Sequence, residues 1–394
     1  MKNLLFVGDN LSVMNSAEFT KNVPDKIKMI YIDPPYNTGH SFSYKDKIDG
    51  EAWTLFMQER LLKAHELLRD DGCIFISIDD SEYASLKILC DSIFGVSNFV
   101  GTFITQQAQR SNAKHINTVH EYILCFAKNK KKLAAFKVRR MDIPEQKKMI
   151  DNMYRCITPL VKQGDMEAAQ VKLNELIAKN CLEYNITWLK NYCNLDENGR
   201  IYFGKDLSTP SKPRTVDIPE IGLHLDPLPT RGWSSDKKLM QLHKNNRLAF
   251  KGSRPYEKHY LEEAEDNAPS VLNYYSRQGT KDLKNLGLRN LFDTPKPVEL
   301  IKFLIRIATN ENDTILDFFA GSGTTAQAVY ETNQEDGRHN HYILIQLDEE
   351  VRENTDVYNA CLHFHIKPVI SEITQYRIDT YLKSHNMPID YIKI

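Results

Sequence analysis

The segment Asp313–Val329, DTILDFFAGSGTTAQAV, constrains the fold more than any other stretch of the chain. An apolar run ends in an acid, two glycines follow in a short loop, and a helix-forming stretch opens on serine and threonine, which reads as buried strand, tight loop and helix. Gly321 and Gly323 allow left-handed backbone and close approach of the main chain to a ligand, and the helix starts in the cluster Ser322, Thr324 and Thr325. The loop lacks the full GxGxxG dinucleotide pattern and the lysine of GxxxxGK[ST], so a nucleoside ligand without phosphates fits it best. Phe319 and Ala320 belong to the same cradle. Asp317, at the strand end, is placed to hold a cationic amino group, and Asp348 or Glu349 in YILIQLDEE closes the next strand, where ribose hydroxyls would sit.

A second strand ends in YIDPPYNTG, Tyr31–Gly39. KIKMIYI is β-favouring, and the two prolines cannot donate to a sheet ladder, so the strand stops at Asp33. Carboxyl ends of parallel strands face the crevice where open α/β sheets bind ligands. Asp33 is thus presented beside a rigid turn, Pro34 and Pro35, and an aromatic ring, Tyr36. A plain turn would use the same residue types.

Asp-Pro-Pro-Tyr together with Phe-x-Gly-x-Gly resembles the S-adenosylmethionine-dependent DNA amino-methyltransferases, and the order, catalytic motif first, resembles their β class. LLFVGDN, DGCIFISIDDSEYASLKILCDSIFG, HEYILCFAKNK, RGWSSDKKLMQLHKNNRLAF, RPYEKHYLEE and LFDTPKPVELIKFLI are similar to successive blocks of the adenine-modifying subunits of type III restriction-modification systems, from Asn3 to about Glu350. The resemblance implies a Rossmann-like α/β methyltransferase sheet with helices on both faces, S-adenosylmethionine as cofactor and N6 of a flipped-out adenine in duplex DNA as methyl acceptor. It further implies cofactor contacts at Asp9 and Asn10 in VGDN, beside the cofactor adenine, and at Thr294 and Lys296 in TPKP, beside the methionine carboxylate. A homodimer and a restriction subunit are the partners it suggests. Members of that family usually have residues before the first block and a longer carboxyl-terminal region, whereas this chain starts at the block and ends soon after YIKI, which leaves a solitary methyltransferase as the alternative.

The residue types suit that chemistry. The N6 lone pair of adenine is delocalised into the ring, so catalysis requires acceptors that localise it: Asp33 and the Pro34 carbonyl would each take one N6 hydrogen, with Tyr36 stacked on the base. Serine in place of Asp33 would favour N4 of cytosine, and loss of Asp33, Tyr36 or the glycines would mark a non-catalytic DNA-binding relative; all are present.

Net charge is −1, but its distribution is uneven. Lys128–Asn290 holds 30 Lys+Arg against 20 Asp+Glu, or +10, and the remainder 21 against 32, or −11. Doubly wound alternation occupies 1–128 and 286–394, the two halves of the methyltransferase domain, and breaks down in 129–285, which reads as an inserted target-recognition region. Lys130, Lys131 and Lys132, in an acid-free run, suit phosphates, and Arg231, Trp233, Arg254, Tyr256 and Lys258 suit base edges and phosphates, with packing or a solvated surface as the competing roles. EAWTLFMQERLLKAHELLRDDG spaces its apolar residues as a helix that runs to Gly72. The seven cysteines form no CxxC pair, and HFH at His363–His365 has no partner at metal spacing, so no metal is expected. With no apolar run of membrane length and no signal-peptide pattern, the expected location is the cytoplasm.

Overall fold

The computed structural model describes residues 2–23, 25–38, 43, 50–106 and 114–394; Gly39, expected to close the turn after Tyr36, lies outside them. The chain divides into two units, Met1–Phe136 with Ala268–Ile394, and Lys137–Asn267. The first is built on nine strands: β1 (Asn3–Val7), β2 (Ile27–Ile32), β3 (Leu68–Ile78), β4 (Phe99–Gln106), β5 (His120–Ala127), β6 (Val271–Leu272), β7 (Thr314–Asp317), β8 (His341–Gln346) and β9 (Tyr391–Lys393). They form one sheet in the order β6-β4-β5-β3-β2-β7-β8-β1-β9, in which β5 alone runs against its neighbours.

Parallel strands with both faces covered read as nearly continuous apolar runs, and all six residues of β2 are buried. Alternation then sorts them. Ile30, Ile32, Ile74, Ile76, Leu316 and Ile343 pack with Trp53, Met57, Leu61 and Ala64 of α1 (Gly50–Leu67) and with Leu86 and Cys90 of α2 (Tyr83–Phe94). Helices α3 (Val298–Ala308), α4 (Thr324–Asp336) and α5 (Ile370–Ser384) pack against β2, β8 and one another.

Helix α1 stops at Leu67 rather than at Gly72, because β3 already begins at Leu68. Gly72 lies inside that strand, where a Cβ would meet the Lys28 carbonyl oxygen at 2.8 Å, and the β2–β3 register shifts at this point. The glycine serves a close strand approach and not a helix end.

In the second unit, helices Pro144–Lys162 and Met166–Glu183 pack as a hairpin around Ile150, Met153, Leu173 and Ile177. An antiparallel sheet orders Leu248–Lys251, Arg254–Tyr260, Ile201–Asp206 and Asn194–Leu195. The first and last residues of the unit pair with each other, Lys137–Arg139 against Glu265–Asn267. The sequence interval 129–285 runs past this unit at both ends: Asn129–Phe136 and residues 268–285 fold with the first unit, whose core takes in Leu283. Among the described residues no helix is long and apolar enough to cross a membrane.

Candidate functional site

Strands β2 and β7 are neighbours, with Ile315 beside Met29 and Leu316 beside Ile30, so their carboxyl ends open side by side although the paired residues lie 286 apart in sequence (315 − 29). Asp33 and Asp317 leave those ends. Together they line a cavity of about 610 Å³ in the first unit, with Asp9, Asn10, Pro34, Pro35, Tyr36, Thr294, Lys296, Phe319, Ala320, Gly321, Ser322, Thr324 and Glu349. Gly323 and Asp348 are the two expected cofactor residues that do not line it.

The loop after β7 takes its shape from its glycines. Gly321 (φ 52°) and Gly323 (φ 79°) are both left-handed. A Cβ at Gly321 would touch the Phe292 ring at 3.4 Å, and one at Gly323 would press the Thr374 carbonyl at 3.2 Å. Gln346, at the end of β8, accepts the Gly321 N–H at 2.7 Å, and Thr374 donates to the Gly321 carbonyl. Burial pushes the Asp317 carboxyl up to about 7, although the Thr325 hydroxyl (2.6 Å) and the Phe319 N–H (3.1 Å) both donate to it.

The Asp-Pro-Pro-Tyr turn is anchored from below by Trp53, fully buried, whose indole N–H donates to the Pro35 carbonyl at 2.8 Å. Above it lies a charged cluster. Lys296 donates to the Tyr36 hydroxyl at 2.7 Å and to Glu121 Oε2 at 3.0 Å, and Tyr36 in turn donates to Glu121 at 3.2 Å. The Lys296 ammonium also stands 3.1 Å from Asp33 Oδ1, close enough for an ion pair but poorly aligned for a hydrogen bond to that buried oxygen. Burial raises the Asp33 pKa above the usual carboxylate range, and Lys296 opposes the rise. Lys296 itself is held charged: burial disfavours its ammonium, but Asp33 and Glu121 outweigh that cost. Lys296 therefore stands on the acceptor side of the cavity as well as beside Thr294.

At the far wall, Asp9 caps the short helix Asn10–Met14 by accepting from the Ser12 N–H, and Arg60 bonds both Asp9 (2.7 Å) and the Asn10 side-chain oxygen (2.6 Å). Desolvation of Asp9 is outweighed by these donors, so its pKa lies below the ordinary value. Glu349 lines the cavity, whereas Asp348 accepts from Ser371 and faces Lys367.

Arg60, Glu121 and Gln346 are site residues that sequence reasoning passed over. Arg60 had a signal, being an arginine on the apolar stripe Trp53, Met57, Leu61 and Ala64; Glu121 had only its place at the head of an apolar strand.

The residues expected to meet DNA are scattered. Lys130, Lys131 and Lys132 are exposed in the first unit after β5, where Lys130 reaches the Phe99 carbonyl and Lys132 pairs with Asp70. In the second unit Arg231 and Arg254 are exposed, Arg254 paired with Asp206 at 2.9 Å, and Tyr256 is half-buried opposite Asp206. Trp233 and Lys258 are only 6% exposed: the indole packs with Leu207 and Leu239 and donates to the Asp226 carbonyl, and Lys258 lies 3.5 Å from Glu197. These two are packed into their unit rather than presented on its surface.

Known proteins resemble this chain in sequence. A DNA methylase family model matches residues 27–356. The chain is 31% identical to the StyLTI Mod subunit of a type III restriction-modification enzyme from Salmonella typhimurium, over 95% of this chain and 56% of that one. It is likewise 31% identical to the EcoP15I Mod subunit from Escherichia coli, over 90% and 60%. The type II methyltransferase M.KpnI of Klebsiella pneumoniae is 28% identical over 99% and 90%. The chain thus spans little more than half the length of the two Mod subunits and most of the type II enzyme. With the family model covering most of its length, the chain belongs to the DNA methylase family.

Proposed function

We propose that the chain is a site-specific DNA methyltransferase that moves the methyl group of S-adenosylmethionine to N6 of a flipped-out adenine in duplex DNA. The observation that carries this reading is Asp33 Oδ1, a buried acceptor that faces the Lys296 ammonium at 3.1 Å without a well-aligned hydrogen bond, in a cavity also lined by a glycine loop and a buried acid. An exocyclic amine would supply the aligned donor that the Lys296 contact does not.

The cofactor supplies a methyl sulfonium. The residues present suit it: Asp317 for the amino group, the left-handed backbone of Gly321 and Gly323 for close approach, Glu349 for the ribose and Asp9 with Asn10 for the adenine. Asp33 and the Pro34 carbonyl accept the N6 hydrogens and localise the nitrogen lone pair, and Tyr36 stacks on the base. Lys296 opposes the rise that burial imposes on the Asp33 pKa, and so favours the ionised form that the acceptor role uses. Unstacking the target adenine costs about a few kcal/mol, which these contacts offset. The Mod subunits among the relatives are named as parts of restriction-modification enzymes, which supports a place in such a system with a restriction subunit as partner.

Asp33→Ala tests the assignment. The variant should bind S-adenosylmethionine as the wild type does and lose methyl transfer to duplex DNA by orders of magnitude, with N6-methyladenine measured by mass spectrometry of digested product. Near wild-type turnover, or N4-methylcytosine as the product, would refute it.

A further inference from the structure

Arg377 is the most deeply enclosed charge in the described part of the first unit, 0% exposed in the middle of α5. That helix lies wholly beyond the residues that the family model matches. Among the described residues no carboxylate comes within 4 Å of the guanidinium; its partners are neutral. One terminal nitrogen donates to Ser322 Oγ at 2.7 Å and to Thr324 Oγ1 at 2.8 Å, while Nε and the other terminal nitrogen share Gln327 Oε1 at 3.2 and 2.9 Å. A buried arginine is normally paired, because an uncompensated charge in the interior costs several kcal/mol. Burial brings its pKa down to about 10, so it stays charged at neutral pH.

The two hydroxyls are the link to the cavity, which both Ser322 and Thr324 line. Each accepts from Arg377, which turns its own O–H away from the guanidinium. Two hydroxyl protons are then left, and among the described residues the one acceptor in reach is the other hydroxyl, 3.3 Å away. That contact uses one proton, and among the described residues the second has no acceptor. Asp282 and Glu331 act on Arg377 only from a distance, so a buried O–H without an acceptor, backed by a buried cation with no carboxylate in contact, is a site for an anionic group. Asp317, eight residues before Thr325 and bonded to it, is the acid proposed above for the cationic end of the same ligand.

We propose that Arg377 positions and polarises Ser322 and Thr324 to receive the carboxylate of the cofactor's methionyl tail. The inference rests on the reading of this cavity as the S-adenosylmethionine site. Arg377 is a positioning residue here: it acts through the two hydroxyls, and it ties α5 to the loop that Thr374 of the same helix also holds. Such an arrangement makes the end of the chain part of the cofactor cradle, and it adds carboxylate recognition to the contact expected from Thr294 and Lys296.

The test compares S-adenosylmethionine with decarboxylated S-adenosylmethionine by calorimetry on the full chain. The wild type should prefer the carboxylated ligand by about ten- to a hundredfold, the range for hydrogen bonds to a charged group. Arg377→Met, which keeps much of the volume and removes the charge, should lose most of that preference while holding the decarboxylated ligand as tightly as the wild type. Arg377→Lys should restore part of it. Ser322→Ala removes one donor with little risk to folding, and should also cut the preference. Equal loss of both ligands in Arg377→Met, with the preference intact in Ser322→Ala, would assign Arg377 a purely structural role and overturn the proposal. A wild type that binds both ligands equally overturns it too. Failure of the wild type to bind either ligand would instead sink the cofactor reading on which it rests.

Discussion

Burial of Asp317 gives the site a titratable acid near neutrality, since its carboxyl is raised to about 7 while that of an exposed aspartate stays near 3.8. A cation bound beside it favours the ionised form. Affinity for S-adenosylmethionine should therefore rise as pH increases through about 7 and level off once Asp317 is fully charged. The ligand's amine titrates in a similar range. The comparison that isolates the carboxylate is with Asp317→Asn, which should bind more weakly above pH 7 and show a flatter profile between about pH 6 and 8 in calorimetry. Parallel profiles for the two proteins would show that Asp317 does not face the cation. The same acid was readable in the sequence as the last residue of an apolar run before a glycine loop, because strand ends and glycine turns are local features. Glu121 was not, since its meaning comes from Lys296 and Tyr36, 175 and 85 residues away.

Helices α3 and α4 are joined by a cluster whose shape only the fold reveals. Lys302, with a side chain only 3% exposed, donates to Glu299 (2.7 Å), Glu331 (3.1 Å) and Glu335 (2.7 Å). The three carboxylates come close enough together to suggest a metal site, but the ammonium already sits among them. Burial works against the charge on Lys302, and the glutamates more than compensate. Lys302→Met keeps the apolar stem and strands the carboxylates, so it should lower stability by about 2 kcal/mol; the figure is below that for a fully buried pair because the glutamates are partly exposed. A urea unfolding midpoint equal to that of the wild type would contradict this. The strand-loop-helix pattern of Asp313–Val329 located α4, and the left-handed Gly323 explains where it begins. The end of α1 was misread for the opposite reason: LLRDDG continues a plausible helix, but pairing of Leu68 with Ile27 makes it strand. Register with a distant partner overrode a local pattern. Arg377 stayed invisible on the same grounds, as its charge is interpretable only beside Ser322 and Thr324.

Over the whole molecule, the basic middle of the sequence does not coincide with the second unit. Lys137–Asn267 carries 22 Lys+Arg against 19 Asp+Glu, or +3, so most of the +10 excess belongs to segments that fold with the first unit. Within the second unit Arg200, Arg247 and Arg254 are already paired with Glu262, Glu263 and Asp206. The run Lys130–Lys132 is therefore the stronger candidate for phosphate contact, and its exposed pair with Asp70 is weak enough to be exchanged for a phosphate. Replacing all three lysines with alanine should weaken DNA binding and reduce the slope of log affinity against log salt by up to about three, with sequence preference and the rate at saturating DNA unchanged. Wild-type affinity across a salt titration would return the run to the status of a solvated surface.

The antiparallel pairing of Lys137–Arg139 with Glu265–Asn267 makes the second unit a closed cassette whose entry and exit are neighbouring strands. A segment plugged in through two adjacent ends can be lengthened, shortened or exchanged while the chain on either side keeps its path, since the host sees only one narrow gap to be bridged. The strands β2 and β7, which carry Asp33 and Asp317 at their ends, lie on opposite sides of that insertion point in sequence and are paired directly in the sheet. Lineages of this chain are thereby free to diversify what lies between residues 137 and 267 at a pace independent of the chemistry, and an engineered graft at the same two strands would inherit that independence.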